Sequence, residues 1–192
     1  MSTFEVEIKF RANNVNIAEL ERQLQQRFGG TEFGEPVTES DAFFLHPCRN
    51  FVQTDECLRL RHRRFADGSS EHSLTYKGPK IDTSTKTRQE IEMPVTEPEI
   101  VENLLVALGF CNAASVRKFR QRMTLTIDNR QVSVVFDTLP DLPEQARQFI
   151  EMETIAAAEE IDACRSLLLD IAGQLSLHEP IRDSYLILVQ RQ

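Results

Sequence analysis

The chain has 192 residues, of which 41% are hydrophobic and 27% charged, so its composition fits one globular domain spanning residues 1–192. A net charge of −8 disfavours a nucleic-acid partner or an anionic membrane surface, so an anion site must be a local concentration of Lys and Arg. No apolar run approaches the roughly 20 residues of a membrane-spanning helix. The first residues read as a charged strand and not as a signal peptide. We therefore expect a cytoplasmic protein that does not bind membranes.

The cysteines give no sign of a metal or disulfide framework. Cys48, Cys57, Cys111 and Cys164 are scattered without the CxxC spacing of zinc sites. We expect reduced thiols, which agrees with a cytoplasmic location.

The first predicted strand, residues 4–11, divides into an apolar and an ionic face, because side chains alternate along a strand. The ionic face carries Glu5, Glu7, Lys9 and Arg11. A half-buried strand would ordinarily turn such a face to water, and for this strand alone that alternative stays open. The same division recurs, however, in strand after strand downstream.

The predicted elements alternate strands with three amphipathic helices. The helices are expected at 17–28, 97–108 and 157–175, with Asn16 capping the first and Thr96 forming a capping box with Glu99 in the second. The strands are expected at 4–11, 41–45, 57–63, 72–77, 88–93, 118–127, 132–137 and 149–153. Turns or loops are expected at 66–69, at 78–85 as a candidate mobile flap, and at 139–148, and a last short helix is expected at 182–189.

Blocks of like charge argue against a solvent-facing surface. Three Arg share one face of the strand 57–63, three basic residues share a face of 118–122, and Glu151 pairs with Glu153. Like charges on neighbouring strands destabilise a sheet unless an opposite charge lies between them. We therefore predict a barrel whose polar lumen binds an anion through Lys and Arg and cations through paired Glu, with the helices outside. Because such a lumen would repel itself, we expect the loss of one Arg to leave stability unchanged or raised.

The segment Glu5-Val6-Glu7-Ile8-Lys9 resembles the E-x-E-x-K signature of the CYTH superfamily, the triphosphate tunnel metalloenzymes. The downstream charged residues resemble the family's succession of tunnel strands over roughly residues 3–185, in the order Arg59-Leu60-Arg61, Lys77, Arg88 with Glu90 and Glu92, Lys118 with Arg120, Asp137, and Glu151-Met152-Glu153. The segments 75–80 and 88–92 look most like the class IV adenylate cyclase branch. Thiamine triphosphatase and inorganic triphosphatase are relatives of that branch. The connection 139–148 is longer than the family's usual one.

The resemblance implies an α+β fold with a closed, eight-stranded antiparallel β-barrel, and Mg²⁺ or Mn²⁺ chemistry on a triphosphate. The implied metal ligands are Glu5, Glu7, Asp137, Glu151 and Glu153. The implied triphosphate-binding residues are Lys9, Arg59, Arg61, Lys77, Arg88, Lys118 and Arg120, with Lys9 and Lys77 as the catalytic residues. Glu90 and Glu92 support them, and like Asp137 they are either ligands or salt-bridge partners of the basic groups. Arg63 and Arg122, at the ends of their runs, are expected to be solvated.

Three functions stay open on the sequence alone. In the first, the 3′-hydroxyl of ATP attacks its own α-phosphorus and releases pyrophosphate and cyclic AMP. In the second, water hydrolyses an inorganic triphosphate, a nucleoside triphosphate or thiamine triphosphate. In the third, the tunnel binds a polyphosphate or nucleotide without turnover. The resemblance favours the first, and a homodimer is possible. Carboxylates suit Mg²⁺, and Arg and Lys suit phosphates, in both enzymatic cases.

Overall fold

Eight strands close into an antiparallel barrel, as predicted. The computed structural model describes residues 4–13, 15–81 and 85–191. The strands are β1 (Phe4–Arg11), β2 (Val37–Leu45), β3 (Cys57–Arg64), β4 (Ser70–Lys77), β5 (Arg88–Pro94), β6 (Cys111–Ile127), β7 (Arg130–Thr138) and β8 (Gln148–Ala156). The helices are α1 (Ile17–Phe28), α2 (Phe51–Thr54), α3 (Pro98–Ala107), α4 (Ile161–Gln174) and α5 (Tyr185–Gln190). Around the barrel the strands follow the order β1-β5-β4-β3-β2-β6-β7-β8.

The outer face of the barrel forms the main apolar core. Val6, Ile8 and Phe10 of β1 are at most 2% exposed and pack, with apolar residues of β6, β7 and β8, against α1 and α4. Burial of this face turns the alternate residues of β1 inward, because successive side chains of a strand point to opposite sides. The ionic face of the sequence pattern therefore becomes the lumen.

Helix α1 begins and ends where the sequence predicts. The Asn16 side chain accepts a hydrogen bond from the Glu19 amide, and Gly29 closes the helix with a φ of +65°. The prediction for the second helix is wrong at its start, because Glu97 and not Thr96 is the N-cap and no side chain caps the helix. The predicted helix 157–175 becomes a short 3₁₀ turn followed by α4. Within the described residues, each helix is too short or too polar to span a bilayer.

Strands β2 and β6 are longer than predicted because they pair with each other along most of the length of β2. Their register runs from Val37 opposite Arg120 to Leu45 opposite Cys111. Partner strands so far apart in sequence leave no local signal of where each one begins. The short α2 was not predicted either. The loop after β7 is confirmed, and its Leu139 and Leu142 are buried against α5, the predicted last helix. All four cysteines are free, as expected.

Candidate active site

The barrel encloses a cavity of about 1360 Å³ lined by charged side chains. This is larger than the roughly 300–1,000 Å³ of typical small-molecule sites. Its basic lining is Lys9, Arg59, Arg61, Arg63, Lys77, Lys80, Lys86, Arg88, Lys118, Arg120 and Arg122, and its acidic lining includes Glu5, Glu7, Glu39, Asp41, Glu90, Glu92, Glu151 and Glu153. The two signs are nearly balanced, which the blocks of like charge in the sequence did not lead us to expect.

Carboxylates crowd together where β1 meets β8. Glu7 lies directly opposite Glu153 in the strand register, and Glu5 precedes it on the same face. Burial, and then the charge of Glu5, raises the pKa of Glu153 to about 7. Burial and the hydrogen bond shared with Glu5 raise the pKa of Glu90 to about 8. Burial and the neighbouring Glu5 carboxylate therefore favour the protonated forms of Glu90 and Glu153.

Such a cluster fits a hard divalent cation by its donor chemistry, since Mg²⁺ and Mn²⁺ bind carboxylate oxygens. Among the described residues no group of three or more potential ligands is already gathered closely enough to hold a metal. Two of these carboxylates already have ammonium partners, since Lys77 Nζ donates to Glu5 at 2.5 Å and Lys86 Nζ donates to Glu7 at 2.6 Å. A metal held by Glu5, Glu7 and Glu153 would replace these ammonium contacts.

The guanidinium groups deeper in the lumen are fixed by buried carboxylates. Arg120 forks onto Asp137 with contacts of 2.7 and 2.5 Å, and its Nη2 also donates to Glu151 at 2.7 Å. Arg61 forks onto Asp41 with contacts of 2.7 and 2.8 Å. Burial opposes the charge of Arg61, but Asp41 outweighs it and raises its pKa above the ordinary value. Both guanidinium groups therefore stay charged and oriented.

Lys9 stands in a different environment from the other cations. Its side chain is fully buried, and its Nζ lies 3.9 Å from the centre of the Tyr185 ring and 3.5 Å from Glu151 Oε1. Within the described part of the chain this Nζ has no hydrogen-bond partner. Burial, and then the charge of Lys86, lowers the pKa of Lys9 well below its ordinary value. Burial therefore favours the neutral amine of Lys9 over its ammonium form.

Lys77 has the opposite electrostatic character. Burial disfavours its charge, but Glu5 and Glu90 outweigh burial and raise the pKa of Lys77 above its ordinary value. The Lys77 Nζ lies 2.8 Å from Glu90. The group is therefore a permanent ammonium, able to bind an anion but not to accept a proton.

Most of the residues singled out in the sequence meet in this cavity. Those that line it are Glu5, Glu7, Lys9, Arg59, Arg61, Lys77, Arg88, Glu90, Glu92, Lys118, Arg120, Glu151 and Glu153. Asp137 differs, because it is fully buried behind Arg120 and also accepts a hydrogen bond from the Tyr185 hydroxyl at 2.8 Å. Glu92 accepts a hydrogen bond from Thr75.

Arg63 and Arg122, which were expected to be solvated, both contact carboxylates of the lumen. Both line the cavity. Arg63 donates to Glu39 at 2.9 Å and its side chain is only 28% exposed, so the expectation of a solvated Arg63 is wrong. Arg122 is 47% exposed and lies 3.1 Å from Glu153.

Four residues of the site were not singled out in the sequence: Glu39, Asp41, Lys86 and Tyr185. Glu39 precedes the predicted start of its strand at 41, so its alternation with Asp41 went unnoticed. Lys86 follows the predicted flap 78–85, of which residues 82–84 lie outside the described residues, and it pairs with β1 through its backbone N–H to the Glu7 carbonyl at 2.9 Å. The charge alternation of β2 was a usable signal, whereas nothing local points to Lys86 or Tyr185.

The fold and the cavity together define a β-barrel with an ionic tunnel at its centre. The model of the CYTH domain matches residues 3–183, and the chain belongs to this family.

Two relatives match almost the whole chain. A Methanocaldococcus jannaschii protein named "Putative adenylate cyclase" is 31% identical over 185 residues, covering 95% of this chain and 96% of that protein. The solved structure of the PH1819 protein from Pyrococcus horikoshii is 36% identical, with a TM-score of 0.81, and covers 98% of this chain and 99% of that one.

A more distant structure shares the fold. A Hippeastrum protein named "Putative adenylyl cyclase", whose structure is described as revealing a dominant triphosphatase activity, is 12% identical with a TM-score of 0.62. The match covers 98% of this chain and 95% of that one.

Proposed function

We propose that this protein is a metal-dependent enzyme that converts ATP, bound by its triphosphate in the tunnel, to cyclic AMP and pyrophosphate. The observation that carries the proposal is the pairing of Glu7 with Glu153 across β1 and β8, inside a closed barrel whose other strands supply Arg and Lys. This arrangement brings metal-type and phosphate-type ligands into one cavity. The name of the relative from Methanocaldococcus jannaschii supports the choice of reaction.

The cations divide into two groups by their role. Arg59, Arg61, Lys77, Arg88, Lys118 and Arg120 bind the phosphate oxygens and neutralise the charge that develops on the departing pyrophosphate. Lys9 is the proposed proton acceptor, because its amine is buried and its pKa is lowered. In this reaction the ribose 3′-oxygen forms a bond to the α-phosphorus, and the bond to the β-phosphate oxygen breaks. Lys9 takes the hydroxyl proton, and pyrophosphate leaves.

Glu5, Glu7 and Glu153 are the proposed ligands of Mg²⁺ or Mn²⁺. When bound, the metal polarises phosphate oxygens and neutralises their charge. Glu151 lines the cavity and also contacts Lys9 and Arg120. It is therefore either a further metal ligand or the salt-bridge partner of these two cations. Both carboxylate oxygens of Asp137 accept hydrogen bonds from Arg120, which favours the role of salt-bridge partner. Glu90, through Lys77, has the same supporting role.

Hydrolysis of a triphosphate is the second candidate. The residues proposed to hold the phosphates and the metal would serve a water nucleophile as well as a ribose hydroxyl. The activity described for the Hippeastrum structure is of this kind.

The test is incubation with ATP and with inorganic triphosphate, each with Mg²⁺ or Mn²⁺, followed by separation of cyclic AMP, pyrophosphate and orthophosphate. The proposal predicts cyclic AMP and pyrophosphate in equal amounts from ATP. Orthophosphate from either compound would establish the second candidate. Binding of both compounds without any product would leave only a binding module.

A further inference from the structure

Two carboxylates on β2 take part in no step of the proposed reaction, yet they are among the most buried charged groups in the protein. Glu39 is 1% exposed and Asp41 is 3% exposed. They lie two residues apart on one face of the strand, opposite residues of β3 on one side and of β6 on the other. Burying two carboxylates is costly unless cations accompany them. The cations that contact Glu39 and Asp41 therefore indicate what these carboxylates do.

Both carboxylates hold the same two cations. Asp41 accepts the Nε and Nη2 fork of Arg61, and Glu39 lies 3.0 Å from Nη1 of the same guanidinium. Lys118 Nζ lies 2.9 Å from Glu39 and 3.1 Å from Asp41. One strand thus fixes a guanidinium from β3 and an ammonium from β6.

A donor count shows what is left for a ligand. A guanidinium has five N–H donors and an ammonium has three. Hydrogen bonds to Asp41 use two donors of Arg61 and one of Lys118, whereas the approaches of both cations to Glu39 Oε2 are ion pairs without hydrogen-bond geometry. The remaining three donors of Arg61 and two of Lys118 are those that an anion in the cavity can use, and the hydrogen bonds to Asp41 with the ion pairs to Glu39 set their directions.

The pair does not resemble a metal site. Burial opposes ionisation of Asp41 and Glu39, but Lys118, with Arg59 and Arg61 around Asp41 and with Arg120 and Arg61 around Glu39, lowers the pKa of both well below the ordinary value. Among the described residues Asp41 has three cations within 4.0 Å and Glu39 has four. Glu5 and Glu7 each have one such partner, so a metal ion would meet far more repulsion at Glu39 and Asp41.

We infer that Glu39 and Asp41 are positioning residues, which orient Arg61 and Lys118 toward the phosphates of the substrate. The inference rests on the proposed function, because it names the groups that align the cations of that same site. Misplacement of a reacting group by about 1 Å can cost about a hundredfold in rate. The pair also tempers the positive charge of the cavity.

Loss of a negative charge and loss of cation orientation should change substrate binding and turnover in different directions. Removing one negative charge makes the cavity more positive, so a polyanion should bind as tightly as before or more tightly. Loss of orientation should slow turnover at the same time. A purely structural role would instead weaken binding and turnover together.

The experiment compares wild type with Asp41→Asn and Glu39→Gln, which keep the side-chain shape and remove the charge. Asp141→Asn is the matched control, because Asp141 also pairs with a basic residue of β6, at 3.5 Å from Arg117, but is 45% exposed. Affinity for inorganic triphosphate is measured by calorimetry without divalent metal, and kcat with ATP and Mg²⁺. We expect kcat to fall about tenfold to a hundredfold, with an affinity equal to or tighter than wild type, and no change in Asp141→Asn.

Glu39→Asp provides a rescue test, since it restores the charge and should recover part of the lost kcat. Unchanged kcat in both charge-removing variants would overturn the inference, as would a parallel loss of affinity and kcat. Failure of both to fold would assign the pair a structural role and overturn it too. A wild-type protein that neither binds nor turns over a triphosphate would instead refute the proposed function, and the inference with it.

Discussion

Arg61 shows how much each cation of the lumen depends on its partners. The sequence led us to expect that losing a lumen arginine would relieve repulsion. The structure reverses this expectation, because Arg61→Met would leave Asp41 and Glu39 buried with too few partners. Breaking a buried ion pair costs about 3–5 kcal/mol. We therefore expect Arg61→Met to lower the free energy of unfolding by about that amount, measured by urea denaturation.

The control for this prediction is Arg22→Met. Arg22 pairs with Glu19 on the surface of α1, with side chains 55% and 44% exposed. Exposed pairs contribute less than about 1 kcal/mol. An Arg61→Met variant as stable as Arg22→Met would show that the lumen network is not formed.

Glu153 gives a pH-dependent prediction. Its carboxyl has a pKa raised from 4.5 to about 7, so the folded protein binds a proton that the unfolded chain releases. This contribution to stability is fully present below about pH 4.5 and is lost as the pH rises to about 7. The difference corresponds to roughly 3 kcal/mol. Glu153→Gln should therefore match wild type at pH 4 and be more stable at pH 8 in metal-free buffer.

Thermal unfolding at both pH values checks this, with Glu159→Gln, an exposed change just before α4, as the control. A stability difference between Glu153→Gln and wild type that does not depend on pH would contradict the prediction.

Among the elements, the alternation of charged and apolar residues predicted the strands well, but it did not predict which charged residues pair with each other across strands. The inward faces of β1, β3, β6 and β8 follow from side-chain alternation, so their residues were found. Alternation cannot show which strand lies beside which, and the counterions of Arg61, Lys118 and Arg120 lie on β2, β7 and β8. For that reason the sequence did not predict that carboxylates would neutralise the basic groups of the lumen. Lys86 was missed because its contact with Glu7 crosses 79 positions of the chain.

Helix α5 places Tyr185 against the lumen, and the contacts of this residue can be tested by substitution. Its hydroxyl donates to Asp137 and its ring faces Lys9. Tyr185→Phe removes only the hydrogen bond to a charged carboxylate and should cost about 1.5–3 kcal/mol. Tyr185→Leu also removes the ring beneath the Lys9 amine and part of the packing, so we expect a larger loss. Equal unfolding free energies for the two variants, measured by denaturation, would argue against the ring contact.

For the molecule as a whole, the positive and negative side chains of the described lumen nearly balance. A ligand must therefore replace some of the salt bridges between them. A triphosphate with Mg²⁺ brings both signs and should bind the folded state alone. At a hundredfold excess over its Kd it should stabilise the protein by about 2.7 kcal/mol. For a chain of this size, that amounts to a rise in Tm of roughly 5–10 °C. Orthophosphate at the same concentration should raise Tm less, and an unchanged Tm with triphosphate would place the charged faces outside any binding site.

A crystal structure of the complex would show whether one lumen holds both the triphosphate and the metal. Crystals grown with inorganic triphosphate and Mn²⁺ would locate the metal by its anomalous signal. We expect Mn²⁺ on Glu5, Glu7 and Glu153, with the triphosphate against Arg61, Lys77 and Lys118. Manganese and triphosphate bound only on the outer surface, with the Lys77–Glu5 and Lys86–Glu7 contacts intact, would contradict this expectation.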